Sequence, residues 1–190
     1  MLDRFWIEMN MPVSYGLGSS GVVSTAIYEW FFPGASSLDL NLQKEDLAII
    51  ESFFHGRSSG VDALSCYTGR PLHFFADGQI SMIDFELRHL PGNNALFLLD
   101  SGTGCDTGPL VAHFLKSMED PGFAEAIREE YMSLNGKLIA CLRSRNAGDP
   151  ALLFGILSEF QHRYFRKMIP ETILDDWIQG LVSQEYYLKL

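Results

Sequence analysis

A short glycine- and serine-rich stretch that leads into a helical pattern constrains this chain most. It reads Gly16-Leu17-Gly18-Ser19-Ser20-Gly21 and follows residues 5–11, whose mixture of bulky apolar and polar side chains predicts a strand. Apolar residues then recur every three or four positions until Pro33, which predicts a helix from Ser19. Backbone N–H groups and the positive helix end converge in such a turn, so phosphate is its natural ligand. A glycine-rich helix start without a ligand is the alternative interpretation.

A second stretch places two carboxylates near a tight loop. Glu51 lies on a helix predicted over residues 44–54, and Asp62 opens another predicted over residues 61–67, with a Gly56–Gly60 loop between them. In phosphoryl transfer, one carboxylate can hold the metal ion while another deprotonates the attacking hydroxyl. Taken singly, Glu51 also fits a solvated helix carboxylate and Asp62 an N-terminal cap.

Two rival motifs overlap these stretches. Gly16, Gly18 and Gly21 match the G-x-G-x-x-G turn of dinucleotide-binding folds, but residues 33–40 are loop-like where that motif requires a second parallel strand. The Gly56-x-Ser58-x-Gly60 sequence spells the nucleophile elbow of serine hydrolases, although the pattern before it is helical rather than extended. The other triad candidates for a hydrolase are Asp100 with His113 or His162.

Later segments alternate between strand and helix patterns. Strands are predicted at residues 72–75, 81–90, 95–99 and 186–190, with turns at Asp77-Gly78 and 91–94. Helices are predicted at residues 110–118, 123–142, 151–168 and 173–182, the third opened by Asp149 and Pro150. These patterns indicate a sheet segment followed by a helical segment.

Taken together, residues 12–21 and Glu51 through Asp62 resemble two motifs of the GHMP kinases, in particular the mevalonate kinase branch. The second motif has the form E-x-x-x-H-G-x-x-S-G-x-D. The stretch from Leu98 to Val111 is similar to a further mevalonate kinase segment, in which a threonine precedes a helix. The resemblance implies a kinase that uses ATP and Mg²⁺ to phosphorylate mevalonate or a related small-molecule alcohol of isoprenoid biosynthesis. The alternative is a non-catalytic nucleotide-binding remnant or interaction module of the same fold.

The resemblance also implies site residues. Asp62 would be the catalytic base, Ser20 and Glu51 would hold Mg²⁺, and His55 would brace the loop. The residues implied to wrap the ATP phosphates are Gly16, Leu17, Gly18, Ser19, Ser20 and Gly21, and those implied near the acceptor are Ser59, Gly60 and Thr107.

The chain departs from the family pattern in three places. No lysine-bearing strand with a G-E-H-type motif precedes Pro12, and no terminal glycine-rich motif follows Leu190, so we expect a sequence truncated at both ends. Cys105 stands where mevalonate kinases commonly have an arginine, whose bidentate fork a thiol cannot replace. Mevalonate is therefore a less specific expectation than an alcohol acceptor in general.

The expected fold class is α+β, a two-lobed GHMP kinase-like fold with an incomplete N-terminal lobe and a helix-rich C-terminal lobe. The expected domains are residues 1–100, which bind the nucleotide, and residues 101–190. Unpaired strand edges at the ends favour self-association as a homodimer.

Composition and charge exclude several other classes. Apolar residues make up 47%, too many for a disordered chain, and no apolar run is long enough to cross a membrane. The net charge of −10 argues against nucleic acid as a partner. Three widely spaced cysteines and an N-terminus unlike a signal peptide predict a cytoplasmic location.

Overall fold

The computed structural model describes residues 6–10, 16–84, 94–104, 107–144 and 148–190. Contacts between Cα atoms divide the chain into two compact units, Met1–Asp84 and Phe85–Leu190. The site residues predicted from the two motifs lie in the first unit, and Thr107 lies in the second.

Three helices form most of the first unit. They are α1 (Ser19–Phe31), α2 (Leu40–His55) and α3 (Val61–Thr68), and each of them contacts the other two. Helix α2 begins four residues before its predicted start because the Asp39 side chain accepts a hydrogen bond from the Asn41 N–H and caps the first turn. The completely buried residues Tyr28, Leu47 and Leu64, one from each helix, share one core. The three predicted helices are thus confirmed.

A β-hairpin completes the first unit. Strands β1 (Leu72–Phe74) and β2 (Ile80–Met82) pair antiparallel, with Phe74 opposite Ile80, and close through the predicted Asp77-Gly78 turn. Leu72, Phe74 and Ile80 pack against the core of the three helices. Strand β2 covers only the start of the strand predicted at residues 81–90, whose positions 85–90 lie outside the described residues, as do turn residues 91–93.

Two other predicted strands are not strands in the described residues. Residues 6–10 have no regular secondary structure, and the remaining positions of that predicted strand are not described. The prediction for residues 95–99 is wrong: this segment pairs with no strand of the described residues, and Phe97 and Leu98 are more than four-fifths exposed. A strand needs a partner and a surface to cover, whatever the β-propensity of its residues.

The second unit is helical. Its α-helices are α4 (Thr107–Ser117), α5 (Pro121–Ala126), α6 (Met132–Arg143), α7 (Pro150–Tyr164) and α8 (Leu174–Ser183). A π-helical turn, Ile127–Tyr131, joins α5 to α6, so the helix predicted over residues 123–142 is confirmed as one helical run with a changed register. Asp149 caps α7 and Pro150 occupies its first turn, also as predicted. Helix α7 ends at Tyr164, before a separate 3-10 turn at Arg166–Met168.

The prediction of a strand at residues 186–190 is wrong, because these residues have no regular secondary structure. These residues lie against helices instead of pairing with a strand: the Leu190 N–H donates to Gln161 Oε1 at 3.0 Å, and the Tyr187 ring fills the space that a side chain at Gly155 would need. Tyr186 donates its hydroxyl hydrogen to the Asp176 carbonyl at 2.9 Å. Contacts with helices thus hold this segment in place, and it forms no strand edge with the described residues.

The helices and the hairpin of the described residues are compatible with an α+β class. Among the helices of the described ranges, none combines the length and the apolar character required to span a membrane.

Candidate functional site

The glycine-rich turn lies at the N-terminus of α1. Gly16 and Gly18 have φ of 69° and 70°, in the left-handed region that other residues rarely adopt. Gly18 is the N-cap of α1, and no side chain of the described residues caps the first turn. The N–H groups of the first turn lack acceptors within the helix itself, and they carry its partial positive charge. This geometry is compatible with the predicted binding of a negatively charged group at the turn.

The starts of α1 and α3 touch each other. A Cβ atom on Gly21 would lie 3.0 Å from the backbone nitrogen of Ala63, and the Thr25 hydroxyl donates to the Ala63 carbonyl at 3.1 Å. Helix α3 in turn packs tightly on α2, because a Cβ on Gly60 would lie 2.3 Å from the Lys44 carbonyl oxygen. Two glycines thus allow the three helices to converge, and the two predicted motifs meet at this point.

Glu51 is a buried carboxylate at the centre of this junction. Its side chain is only 5% exposed, and it accepts hydrogen bonds on both oxygens. The Ser20 hydroxyl donates to Oε1 at 3.0 Å, and the Ser58 hydroxyl donates to Oε2. Ser58 also accepts a hydrogen bond from the Gly60 N–H at 2.9 Å. The buried charge is therefore satisfied by hydroxyls from α1 and from the loop before α3.

Asp62 lies in the first turn of α3, close to the glycine-rich turn. Its side chain is exposed, and its Cβ lies 4.0 Å from where a Cβ on Gly18 would be. An exposed carboxylate beside the glycine-rich turn is compatible with the predicted role of a base acting on an incoming hydroxyl. Whether Asp62 has this role remains a prediction.

Cys66 follows Asp62 by one helical turn. Burial raises the pKa of the Cys66 thiol, and the negative charges of Asp62 and Glu51 raise it further. Cys66 and Ser58 are the two residues of this region that the motif-based prediction did not place near Glu51. No sequence signal marks the contact of Ser58 with Glu51, because it depends on the path of the Gly56–Gly60 loop.

The remaining predicted site residues are less closely associated with Glu51. Ser59 is exposed, and its hydroxyl accepts a hydrogen bond from the Val61 N–H at 3.4 Å. Leu17 is 40% exposed in the glycine-rich turn, and Ser19 begins α1. Thr107 begins α4 in the second unit, but its side chain, like that of His55, lies outside the described residues. Cys105 is also outside them.

Neither rival motif has the structural context that its function requires. The residues before Ser58 form helix α2, whereas a nucleophile elbow follows a strand, and the Ser58 hydroxyl hydrogen is donated to a carboxylate. After α1 the chain enters a 3-10 turn at Ala35–Ser37 and then α2, instead of the parallel strand that a dinucleotide-binding fold requires. In the described part of the chain, the sheet is one antiparallel hairpin.

The donors near Glu51 fit a magnesium ion that arrives with a nucleotide. A hydroxyl and a carboxylate oxygen 3.0 Å apart are the hard oxygen ligands that Mg²⁺ prefers, and it commonly uses one or two carboxylates together with substrate phosphates and water. No group of three or more His, Cys, Asp or Glu residues that could hold a metal occurs in the ranges that the structure describes. Ser20 and Glu51 would therefore contribute to a shared site with the nucleotide phosphates.

Comparison with known proteins gives one match. Residues 3–70 match the family model of the GHMP kinases N terminal domain, and this span contains the glycine-rich turn, Glu51 and Asp62. No curated protein and no solved structure is significantly similar to the chain.

Proposed function

We propose that this chain, whose residues 3–70 match the model of the GHMP kinases N terminal domain, is a member of that family and an ATP-dependent kinase that phosphorylates a hydroxyl of a small molecule. Members of this superfamily are ATP-dependent small-molecule kinases. The observation that supports the proposal best is the junction of α1, α2 and α3. It gathers an uncapped glycine-rich helix start, the Ser20–Glu51 pair and the exposed Asp62 in one place.

Gly16 to Gly21 bind the ATP phosphates in this proposal. The N–H groups at the start of α1 donate to phosphate oxygens, and the glycines let the phosphates approach the backbone closely. Ser20 and Glu51 hold Mg²⁺, which would neutralise charge on the phosphates. The buried position of Glu51 keeps its carboxylate oriented before the nucleotide arrives.

Asp62 acts as the general base. It accepts the proton of the acceptor hydroxyl while the oxygen of that hydroxyl attacks the γ-phosphorus atom. The bond between the γ-phosphorus and the bridging oxygen breaks, and ADP leaves with the electron pair. The acceptor lies against Ser59 and Gly60, beside Asp62 at the start of α3. The cytoplasm is the proposed location.

The acceptor is mevalonate or a related alcohol. The resemblance of residues 12–21 and 51–62 to the mevalonate kinase branch supports an isoprenoid-pathway alcohol. Cys105 takes the place of an arginine that would recognise a carboxylate, so acceptors without a carboxylate belong in any assay panel beside mevalonate.

Turnover by an Asp62→Asn variant tests the proposal. Because the amide cannot accept the proton, we expect loss of phosphoryl transfer by at least about a hundredfold, with nucleotide binding retained. Asp77→Asn, which removes an exposed carboxylate from the hairpin of the same unit, is the control and keeps its turnover. Undiminished turnover in Asp62→Asn contradicts the base role. Nucleotide binding without turnover on any alcohol in the native enzyme supports a non-catalytic binding module.

A further inference from the structure

The Ser58 hydroxyl has an unusual set of partners at the junction of the three helices. It donates to Glu51 Oε2 and accepts from the Gly60 N–H at 2.9 Å. The backbone N–H of Ser58 donates to the Ser52 hydroxyl at 3.0 Å, and that hydroxyl donates to the Ala48 carbonyl. Ser58 is therefore anchored to α2 on one side and to the N-cap of α3 on the other.

The two oxygens of Glu51 have different donors. Oε1 faces Ser20, the residue proposed to share the metal, and Oε2 faces Ser58. If Ser20 and Glu51 held Mg²⁺, the Ser20 hydroxyl would turn its hydrogen away from Oε1, because an oxygen that ligates a cation directs a lone pair toward it. Ser58 is then the remaining hydroxyl donor that fixes the carboxylate, and it has no need to move.

We propose that Ser58 is a positioning residue that orients Glu51 for Mg²⁺ and ties this orientation to the start of α3, where Asp62 lies. This inference rests on the proposed function. It assigns Ser58 no contact with the nucleotide or the acceptor. Its effect passes through the Glu51 carboxylate and through the Gly60 N–H at the N-cap of α3. Outer hydrogen bonds of this kind commonly change metal affinity by about ten- to a hundredfold.

The Mg²⁺ requirement of nucleotide binding distinguishes this role from a structural one. We would measure the Mg²⁺ concentration for half-maximal binding of ADP carrying a fluorescent methylanthraniloyl group, and separately its binding without divalent cation. In Ser58→Ala we expect about a tenfold higher Mg²⁺ requirement, with cation-free binding unchanged. Ser65→Ala is the matched control, since the Ser65 hydroxyl donates to the Val61 carbonyl within α3 and does not reach Glu51.

A Thr and Val pair at position 58 keeps the test decisive if the alanine variant does not fold. The two side chains have the same shape and differ in the hydroxyl. Ser58→Thr should retain the native Mg²⁺ requirement, and Ser58→Val should raise it. An unchanged Mg²⁺ requirement in Ser58→Val, with native protein binding the nucleotide, overturns the role of Ser58 and leaves the proposed function intact. Absence of nucleotide binding by folded native protein overturns both.

Discussion

Glu51 has the least freedom of the charged residues at the proposed site. It is buried, and each oxygen accepts a hydrogen from a serine hydroxyl on a different segment. Hydrogen bonds to a charged group stabilise by roughly 1.5–3 kcal/mol each, and an unpaired buried carboxylate would be more costly than either bond. A fixed, desolvated carboxylate beside the glycine-rich turn is compatible with the cation that we propose it shares with the nucleotide phosphates.

The reactivity of the Cys66 thiol depends on the charges of the carboxylates near it. Because burial and the neighbouring carboxylates raise the pKa of its thiol, its reactive thiolate is scarce near neutral pH. The Asp62→Asn variant removes one negative charge, so the pKa of the Cys66 thiol falls. Alkylation of Cys66 by iodoacetamide should then accelerate about two- to fivefold, because a charge pair in a water-like dielectric interacts by roughly 1 kcal/mol or less.

The rate is followed at pH 7.5 on the peptide that contains Cys66, so that the other cysteines do not contribute. Glu45→Gln, which neutralises an exposed carboxylate on α2, serves as the control and should leave the rate unchanged. An equal rate in native protein and Asp62→Asn would show that Asp62 does not act on this thiol.

The raised pKa of Tyr28 predicts that the folded protein loses stability at alkaline pH. Burial, followed by its hydrogen bond to Asp46, raises the pKa of Tyr28 to about 12. The unfolded tyrosine deprotonates near pH 10, so between about pH 10 and 12 the unfolded state binds fewer protons and stability falls as pH rises. The shift corresponds to roughly 2–3 kcal/mol across that window.

Urea unfolding of native protein and Tyr28→Phe checks this expectation. The variant loses about 1 kcal/mol at neutral pH with the hydrogen bond to Asp46. Between pH 10 and 11 its deficit should shrink and then reverse, since phenylalanine has no proton to lose. A deficit that stays constant with pH would mean that Tyr28 does not titrate with folding.

At the scale of elements, the close contact of α2 and α3 depends on Gly60. Its φ is 71°, and an added Cβ would lie 2.3 Å from the Lys44 carbonyl oxygen. Gly69 has a similar φ of 59°, but nothing lies within 4 Å of its would-be Cβ. We expect Gly69→Ala to cost about 1–2 kcal/mol through backbone strain, and Gly60→Ala to cost more than about 3 kcal/mol through strain and the clash together.

Chemical denaturation of both variants measures the difference, which isolates the contact between the helices. If the two alanines cost the same, the start of α3 does not pack on α2 as closely as the structure shows, and the placement of Asp62 would need revision.

Local signals predicted the elements that form through local causes. Helices α1 and α3 are bounded by glycines and follow apolar spacing, and Asp149 with Pro150 fixes the start of α7. Residues 95–99 and 186–190 have strand-like composition, yet their structure depends on partners elsewhere in the chain. The grouping of Ser20, Glu51 and Asp62 was predictable from two motifs, whereas the contact of Ser58 with Glu51 required the loop conformation.

At the scale of the whole molecule, the match to the GHMP kinases N terminal domain and the first compact unit nearly coincide. The match covers residues 3–70, and the unit is Met1–Asp84. The phosphate turn, the metal ligands and the base proposed here are therefore all carried by one unit. The role of Thr107 in the second unit, the domain boundary at residue 100 and a homodimer stay predictions.

The net charge of the chain affects how it can bind a nucleotide. A chain with a net charge of −10 repels an anionic nucleotide at long range. In the proposed site, attraction would come from the N–H groups at the start of α1 and from a cation held by Ser20 and Glu51. Nucleotide binding should therefore depend strongly on Mg²⁺.

Calorimetric titration of the 190-residue chain with ATP, with and without Mg²⁺ and beside a Glu51→Ala variant, tests the central claim most directly. The account predicts saturable binding that requires Mg²⁺ and weakens at least about tenfold in Glu51→Ala, whose folding is verified by circular dichroism. The claim would be contradicted by well-folded native protein that binds no Mg·ATP, or by binding that neither Mg²⁺ nor the loss of Glu51 alters.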